Sequence, residues 1–410
     1  MKKELAWPQI IDNLLIMVGS RNRSHLRRPT WIIVLLFIVF IFLIAAYMFP
    51  PDSPPSTCSF FSSQGCGTST SISTSTIPTS TSSSKYDLPE PVFSRALREE
   101  ELQSRIVVNE ILKFYPVQTK IPKIAFLFLT PGSLPFEKLW HMFFQGHEGK
   151  FSIYVHASRV KPVHVSHYFA DRDIHSEPVE WGRVSMVEAE RRLLASALLD
   201  PDNEHFVLLS ESCIPVRRFD FVYNYLLLTN VSFIDSYVDT GPHGNGRYIE
   251  HMLPEVEISD FRKGSQWFTM KRQHAVIIMA DSLYFRKFKY HCRPNMEGNR
   301  NCYADEHYLP TFFTMLDPGG IANWSVTYVD WSERKWHPKS FRARDITYRL
   351  MKNIVYIDEC PHYTSDAKKT VTITPCVLNG SKRSCYLFAR KFYPETQDNL
   401  MKLFSNSTIF

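Results

Sequence analysis

Asp305 and Glu306 follow Cys302 and Tyr303 and open a stretch whose spacing predicts a helix running toward Phe313. Carboxylates in the first turn of a helix are stabilised as anions by the unpaired N–H groups there, so this pair offers a general base; the other reading is a cap that complements the helix dipole. Basic side chains gather near the C-terminus at Lys382, Arg383, Arg390 and Lys391. Fixed cations of this kind can stabilise a departing diphosphate as a metal ion would. Asp171-Arg172-Asp173 has the Asp-x-Asp form that holds a divalent cation in many nucleotide-sugar enzymes, but it lies in a charged stretch instead of following a buried strand, which predicts a solvated loop. Where such a pair could stand, after HFVLLS at 205–210, the chain reads Glu211-Ser212-Cys213. The segment 239–248 holds three glycines and Arg247, a composition suited to backbone approach to an anion or sugar, and equally to an ordinary mobile loop. No Gly-x-Ser-x-Gly, Walker sequence or strand-borne Gly-x-Gly-x-x-Gly is present, so hydrolase, kinase and dehydrogenase chemistries lack support.

These residues need a scaffold, and from Ile121 onward short apolar runs alternate with longer amphipathic ones, the pattern of an α/β sheet. Buried strands are expected at 123–130 (KIAFLFLT), 151–156 (FSIYVH), 205–210 and 231–235; helices are expected near 135–145, at 184–199 and at 219–228. In the 184–199 helix Val187, Leu194 and Leu198 share a face, and Glu188 is placed to pair with Arg192 at i,i+4. Ligands of open α/β sheets collect beyond the carboxyl ends of the strands, which singles out His156, Arg159, Glu211, Ser212 and the 239–248 loop. Cys292 and Cys302, with nine residues between them, read as a disulfide; the alternative is a zinc site that adds His291 and His307.

The chain has 410 residues, is 44% hydrophobic and 14% aromatic, and carries a net charge of +6. Four of those charges belong to residues 1–30, where Lys2, Lys3, Arg21, Arg23, Arg27 and Arg28 face only Glu4 and Asp12, so the main body is not a nucleic-acid-binding polycation. Residues 31–49 (WIIVLLFIVFIFLIAAYMF) contain no charge, and as a helix they reach roughly 28 Å, the thickness of a bilayer core. The basic residues before this span place a cytoplasmic tail at 1–30 and send the remainder into the lumen. Eight cysteines, all beyond the span, and four Asn-x-Ser/Thr triplets suit that oxidising side. Residues 50–120 read as a stem: between 68 and 84, fourteen of seventeen positions are Ser or Thr, too polar to offset the entropy of ordering. A charged helical stretch at 93–114 either packs on the folded domain or belongs to the stem.

The ordered set KIAFLFLT, FSIYVHAS, WGRVSMVEAERRLL, HFVLLSESCIP, GRY, RKGSQWF, CYADEHYLPT and LFARKF resembles the Core-2/I-branching β-1,6-N-acetylglucosaminyltransferases, glycosyltransferase family fourteen, in its plant branch. The resemblance implies a GT-A-like α/β domain at 121–410, with a Rossmann-like mixed sheet flanked by helices, behind one membrane anchor in a type II Golgi protein. It implies inverting transfer of a sugar, N-acetylglucosamine by family habit, from a UDP-sugar to a hydroxyl of a glycan or glycoprotein, with no cofactor and no divalent metal. By position, Glu306 falls on the family's base and Lys391 on a donor-diphosphate contact, with Arg383 and Arg390 both candidates for a second. Val155 and His156 fall beside the uracil, Trp181 near the donor, and Gly264 and Ser265 on the sugar pocket, with Glu211 and Ser212 at the adjoining strand end. Arg247, Tyr248, Trp267 and Asp305 fall on the acceptor side. Cys213 stands where animal members carry Asp. The alternatives are an inactive anchored carbohydrate-binding or scaffold protein, or a transferase using UDP-xylose or UDP-glucuronate.

Overall fold

A computed structural model describes residues 99–112 and 121–406, all within one unit of the chain. The tail expected at 1–30, the span at 31–49 and most of the stem lie outside the described residues. No described helix is long and apolar enough to cross a membrane.

Helix α1 (Glu99–Leu112) precedes β1 (Lys123–Thr130), α2 (Glu137–Phe144), β2 (Phe151–Ala157), α3 (Ser185–Leu198) and β3 (Asn203–Ser210). β1 is apolar on both faces because it lies between β2 and β3, parallel to both, with helices above and below. Its Phe126 packs edge-on against Phe143 and Phe144 of α2, at 5.8 and 4.9 Å between ring centres. Next come β4 (Ile214–Pro215), α4 (Phe219–Leu227), β5 (Ser232–Asp235), β6 (Thr269–Lys271), α5 (Arg272–Ala280), α6 (Leu283–His291), α7 (Ala304–Leu316), β7 (Ile321–Asn323) and β8 (Thr327–Val329). The main sheet has six strands in the order β2-β1-β3-β6-β5-β7, with β6 antiparallel to β3 and β5. That arrangement is the mixed α/β sheet expected of a GT-A-like domain, and the strand and helix expectations hold to within a few residues.

The C-terminal part carries α8 (Tyr348–Val355), the hairpins β9 (Glu359–Tyr363) with β10 (Val371–Pro375) and β11 (Val377–Leu378) with β12 (Ser381–Lys382), then β13 (Phe388–Arg390) and α9 (Gln397–Asn406). β13 returns to join β4 and β8 in a small second sheet, which brings the 388–391 segment back beside the end of β3.

Helix α1 settles the question left open at 93–114, for it packs on α3 and α5. Arg272 donates to both carboxylate oxygens of Glu110, at 2.8 and 2.9 Å, and Arg191 donates to Gln103 at 2.8 Å. The expected Glu188–Arg192 pair does not form. Arg192 meets Glu99 of α1 at 3.0 Å and Glu188 meets Lys289 of α6 at 2.7 Å, because tertiary neighbours present better-placed partners than the next helical turn does. Cys292 and Cys302 form a disulfide, as do Cys376 and Cys385, whereas Cys213 and Cys360 are buried thiols; Cys58 and Cys66 lie outside the described residues.

Candidate active site

The disulfide at Cys302 fixes the start of α7, and Tyr303 enters the helix in an extended conformation. Glu306, in the first turn, accepts a hydrogen bond on Oε2 from Arg247 Nη1 at 2.6 Å. The same Nη1 lies 3.2 Å from His307 Nε2. His307 Nδ1 lies 2.8 Å from the Arg262 carbonyl, so that nitrogen donates and Nε2 accepts from Arg247. Burial, with the Arg247 charge second, holds the His307 ring well below its ordinary range, consistent with a neutral acceptor. The Arg247 guanidinium also lies over the Tyr303 ring, 4.6 Å from its centre. One carboxylate oxygen of Glu306 is thereby oriented while Oε1 makes no hydrogen bond or ion pair among the described residues. The side chain keeps 29% of its surface open to solvent, so a hydroxyl can reach it.

The backbone beneath the carboxylate is equally constrained. Gly264 N–H donates to the Glu306 carbonyl at 2.9 Å, and a Cβ on Gly264 would sit 1.9 Å from the Asp235 carbonyl oxygen. Only glycine lets the 264–268 segment approach so closely.

Behind the base lies a layer of acids. Asp305 has Oδ1 buried without a partner, and burial, reinforced by Glu306, raises its carboxyl to about 7. Glu190 of α3 is enclosed; it accepts from Gln266 Nε2 at 2.9 Å, and burial pushes it far above the usual carboxylate range. One oxygen of Asp305 is thus enclosed, while the residue as a whole is half-buried. Lys263, two residues before Ser265, lies in the field of Glu306 and is lowered from its ordinary value chiefly by burial. Neither Glu190 nor Lys263 stands out in the sequence, because nothing in a helical Glu or a loop Lys marks it as buried.

A second group of candidates surrounds the carboxyl end of β3. Ser212 is buried, with Oγ 3.0 Å from Ser210 Oγ, and half-buried Glu211 precedes it. The Arg390 guanidinium stacks on Trp267 at 4.0 Å, in the field of Cys213 and Glu211. Its Nε is buried without a hydrogen-bond partner, and no carboxylate lies within 4.0 Å of it among the described residues. Arg390 as a whole is half-buried, so its guanidinium, lacking a close carboxylate, can meet an anion that enters from solvent. Lys391 follows, exposed, its carbonyl bonded to Phe341 N–H at 2.8 Å. Arg383 lies apart from this group: its N–H bonds the Cys376 carbonyl at 2.8 Å, and its charge acts on Tyr225 of α4. Of the two candidates for a second basic contact, the structure brings Arg390, not Arg383, to the strand end.

The remaining candidates line the edge of β2 and the approach to α7. Val155 and His156 are fully buried; the His156 ring accepts from Glu177 N–H at 3.3 Å, and burial, then Arg192, lowers it to about 4. Trp181 is 62% exposed and faces Tyr303 at 5.2 Å. Gly182 beside it has φ +74, and an added Cβ would come 2.8 Å from the Tyr303 ring. Ser265 Oγ accepts from Trp267 N–H at 3.3 Å, and Tyr248 O–H donates to Val256 O at 2.9 Å. The 239–248 loop is pinned, not loose: Asp239 accepts from Ser365 N–H and Oγ, both at 2.8 Å.

Among the described residues no group of three or more His, Cys, Asp or Glu is arranged to hold a metal. Asp173 is engaged by His164 at 3.3 Å and Lys161 at 3.6 Å beside β2, away from the end of β3. The disulfide and the Arg262 bond to His307 likewise use up the groups of the zinc alternative. What the arrangement offers is an oriented carboxylate with one oxygen unbonded among the described residues, joined through the 264–268 segment to a half-buried cation with no carboxylate within 4.0 Å among them.

The model of the Core-2/I-branching enzyme family matches residues 124–355. Glycosyltransferase BC10 of Oryza sativa subsp. japonica is 36% identical over 301 residues, 66% of this chain and 73% of that relative.

Proposed function

The chain belongs to the Core-2/I-branching enzyme family and is a glycosyltransferase, and from that premise we propose that it moves a sugar from a UDP-sugar to a hydroxyl of a glycan or glycoprotein acceptor, with inversion and without a divalent metal. N-acetylglucosamine is the donor sugar we propose, on the strength of the sequence resemblance. The setting we propose is the Golgi lumen, with residues 31–49 as the anchor. The observation that carries the chemistry is the Arg247–Glu306 contact at 2.6 Å, which fixes one carboxylate oxygen and leaves the other free.

In this reading Glu306 Oε1 takes the proton of the acceptor hydroxyl as its oxygen attacks the anomeric carbon from the face opposite the diphosphate. The C–O bond to UDP breaks through an oxocarbenium-like state, which inverts the centre. Arg390 and Lys391 receive the charge growing on the departing diphosphate, and that anion supplies a partner for Arg390, whose Nε has no hydrogen bond among the described residues. Val155, His156 and Trp181 bound the nucleotide side; Arg247 and Tyr248 bound the acceptor side.

The test is Glu306→Gln in a direct transfer assay with a panel of UDP-sugars, with and without EDTA. UDP binding is expected to persist while transfer falls by about 10²–10⁴, the usual worth of a general base. EDTA is expected to leave the wild-type rate unchanged. Full turnover by the Gln variant removes Glu306 from the mechanism, and loss of activity in EDTA removes the metal-free reading.

A further inference from the structure

A concavity of about 460 Å3 lies against the turn that carries Arg247: Asn245 and Tyr248 line it, while Arg247 between them turns its guanidinium to Glu306. Tyr248 is held rigidly, its O–H donating to the Val256 carbonyl and its ring 5.6 Å from that of Phe261. Leu253 and Ile258 present apolar side chains to the same hollow at 45% and 51% exposure. Glu250 and Glu257 complete the wall, and neither has a cation within 4.0 Å among the described residues; Glu257 accepts from the Ser259 hydroxyl at 3.3 Å. Arg300, from the loop closed by the Cys292–Cys302 disulfide, donates to the Tyr248 carbonyl at 2.8 Å.

Such a surface matches the chemistry of a sugar ring. Apolar side chains meet the C–H face, and carboxylates and a guanidinium bind vicinal hydroxyls in pairs. Two carboxylates against one guanidinium make the lining net negative, which admits neutral rings and repels anionic ones. The volume falls in the range of ligand-binding clefts. We propose that this concavity is a second acceptor subsite, which holds the neutral sugar unit adjoining the one whose hydroxyl is attacked. It rests on the reading of Glu306 as the base, since Arg247, which bonds that carboxylate, stands in the chain between lining residues Gly246 and Tyr248.

The test measures binding to the full-length, detergent-solubilised protein in the presence of UDP, so that it does not depend on turnover. The probes are linear neutral galactan, xylan and cellulose fragments of one to six units, with oligogalacturonides as the anionic series. At least one neutral series is expected to gain about tenfold in affinity between one unit and three. Ile258→Arg, at an exposed position, abolishes that gain without changing UDP affinity, and the double variant Glu250→Gln/Glu257→Gln admits the anionic series. Absence of a length gain in every neutral series, or its survival in Ile258→Arg, overturns the subsite; continued exclusion of the anionic series by the double variant overturns the charge argument. A length gain without transfer from any UDP-sugar keeps the hollow as a binding site for neutral sugars but removes both the proposed reaction and the acceptor role that rests on it.

Discussion

Arg247 and Glu306 carry opposite charges, but the consequence of their contact is geometric more than energetic: it selects which carboxylate oxygen remains free. The neighbouring acid acts differently. Asp305 has one carboxyl oxygen buried beside Glu306, and its carboxyl, raised by burial and then by that neighbour to about 7, binds a proton in the folded protein that the unfolded chain releases near its ordinary value of 3.8. The folded state therefore holds the extra proton between those two values, and stability declines as pH rises through that window. Asp305→Asn removes the titration, so its melting temperature should change less than that of the wild type between pH 4 and pH 7. Parallel melting curves for the two proteins across that range would exclude the assignment. The Asp-Glu pair and the basic residues near the C-terminus were legible as residue types, while the Arg-Tyr pair was marked by the family resemblance. The enclosure of Glu190 and the placement of Lys263 were not, because burial is a property of the neighbours that surround a residue, not of its identity.

At the scale of elements, the 264–268 segment is the hinge pin of the site. Its first residue binds the backbone of Glu306, Gln266 binds Glu190, and Trp267 supports Arg390. Gly264→Ala forces a Cβ against the Asp235 carbonyl, so either α7 or β5 must shift. The expected outcome is a stability loss of about 1–3 kcal/mol, as for other overpacked sites, together with a fall in transfer larger than the fraction unfolded explains. Normal activity per folded molecule, measured beside a denaturant titration, would show that this close approach has no role in positioning the base. Strands and helices were readable because buried parallel strands leave continuous apolar runs and α3 leaves an apolar stripe. The Glu188–Arg192 pairing misled for a physical reason: an exposed i,i+4 ion pair is worth a few tenths of a kcal/mol, so partners on α1 and α6 easily displace it. The choice between Arg383 and Arg390 likewise needed the return of β13 to β4, a long-range pairing without a local signature.

At the scale of the whole molecule, the C-terminal hairpin is tied to the central sheet by His362 and Asp235, 2.6 Å apart. Burial opposes a charged ring there, but Asp235 and its hydrogen bond outweigh it and raise His362 to about 10, against an ordinary 6.5. The stabilisation is therefore complete below about pH 6.5 and is lost as pH climbs to about 10. Melting temperature should fall over that alkaline range, and His362→Gln should start lower and fall less; an equally steep decline in the variant would rule the pair out as its source. Helix α1 has a further consequence for any shortened form of the protein. Arg272 is satisfied partly by Glu110 and partly by the carbonyls of Leu198, Asp200 and Asn203, so its charge is neutralised from a segment that precedes the first strand. A cut ahead of Glu99 leaves that counter-charge on the folded domain. Trimming behind Leu112 removes the Glu110 carboxylate that Arg272 meets with two nitrogens, so helix α1 belongs with the folded domain and not only with the segment before it.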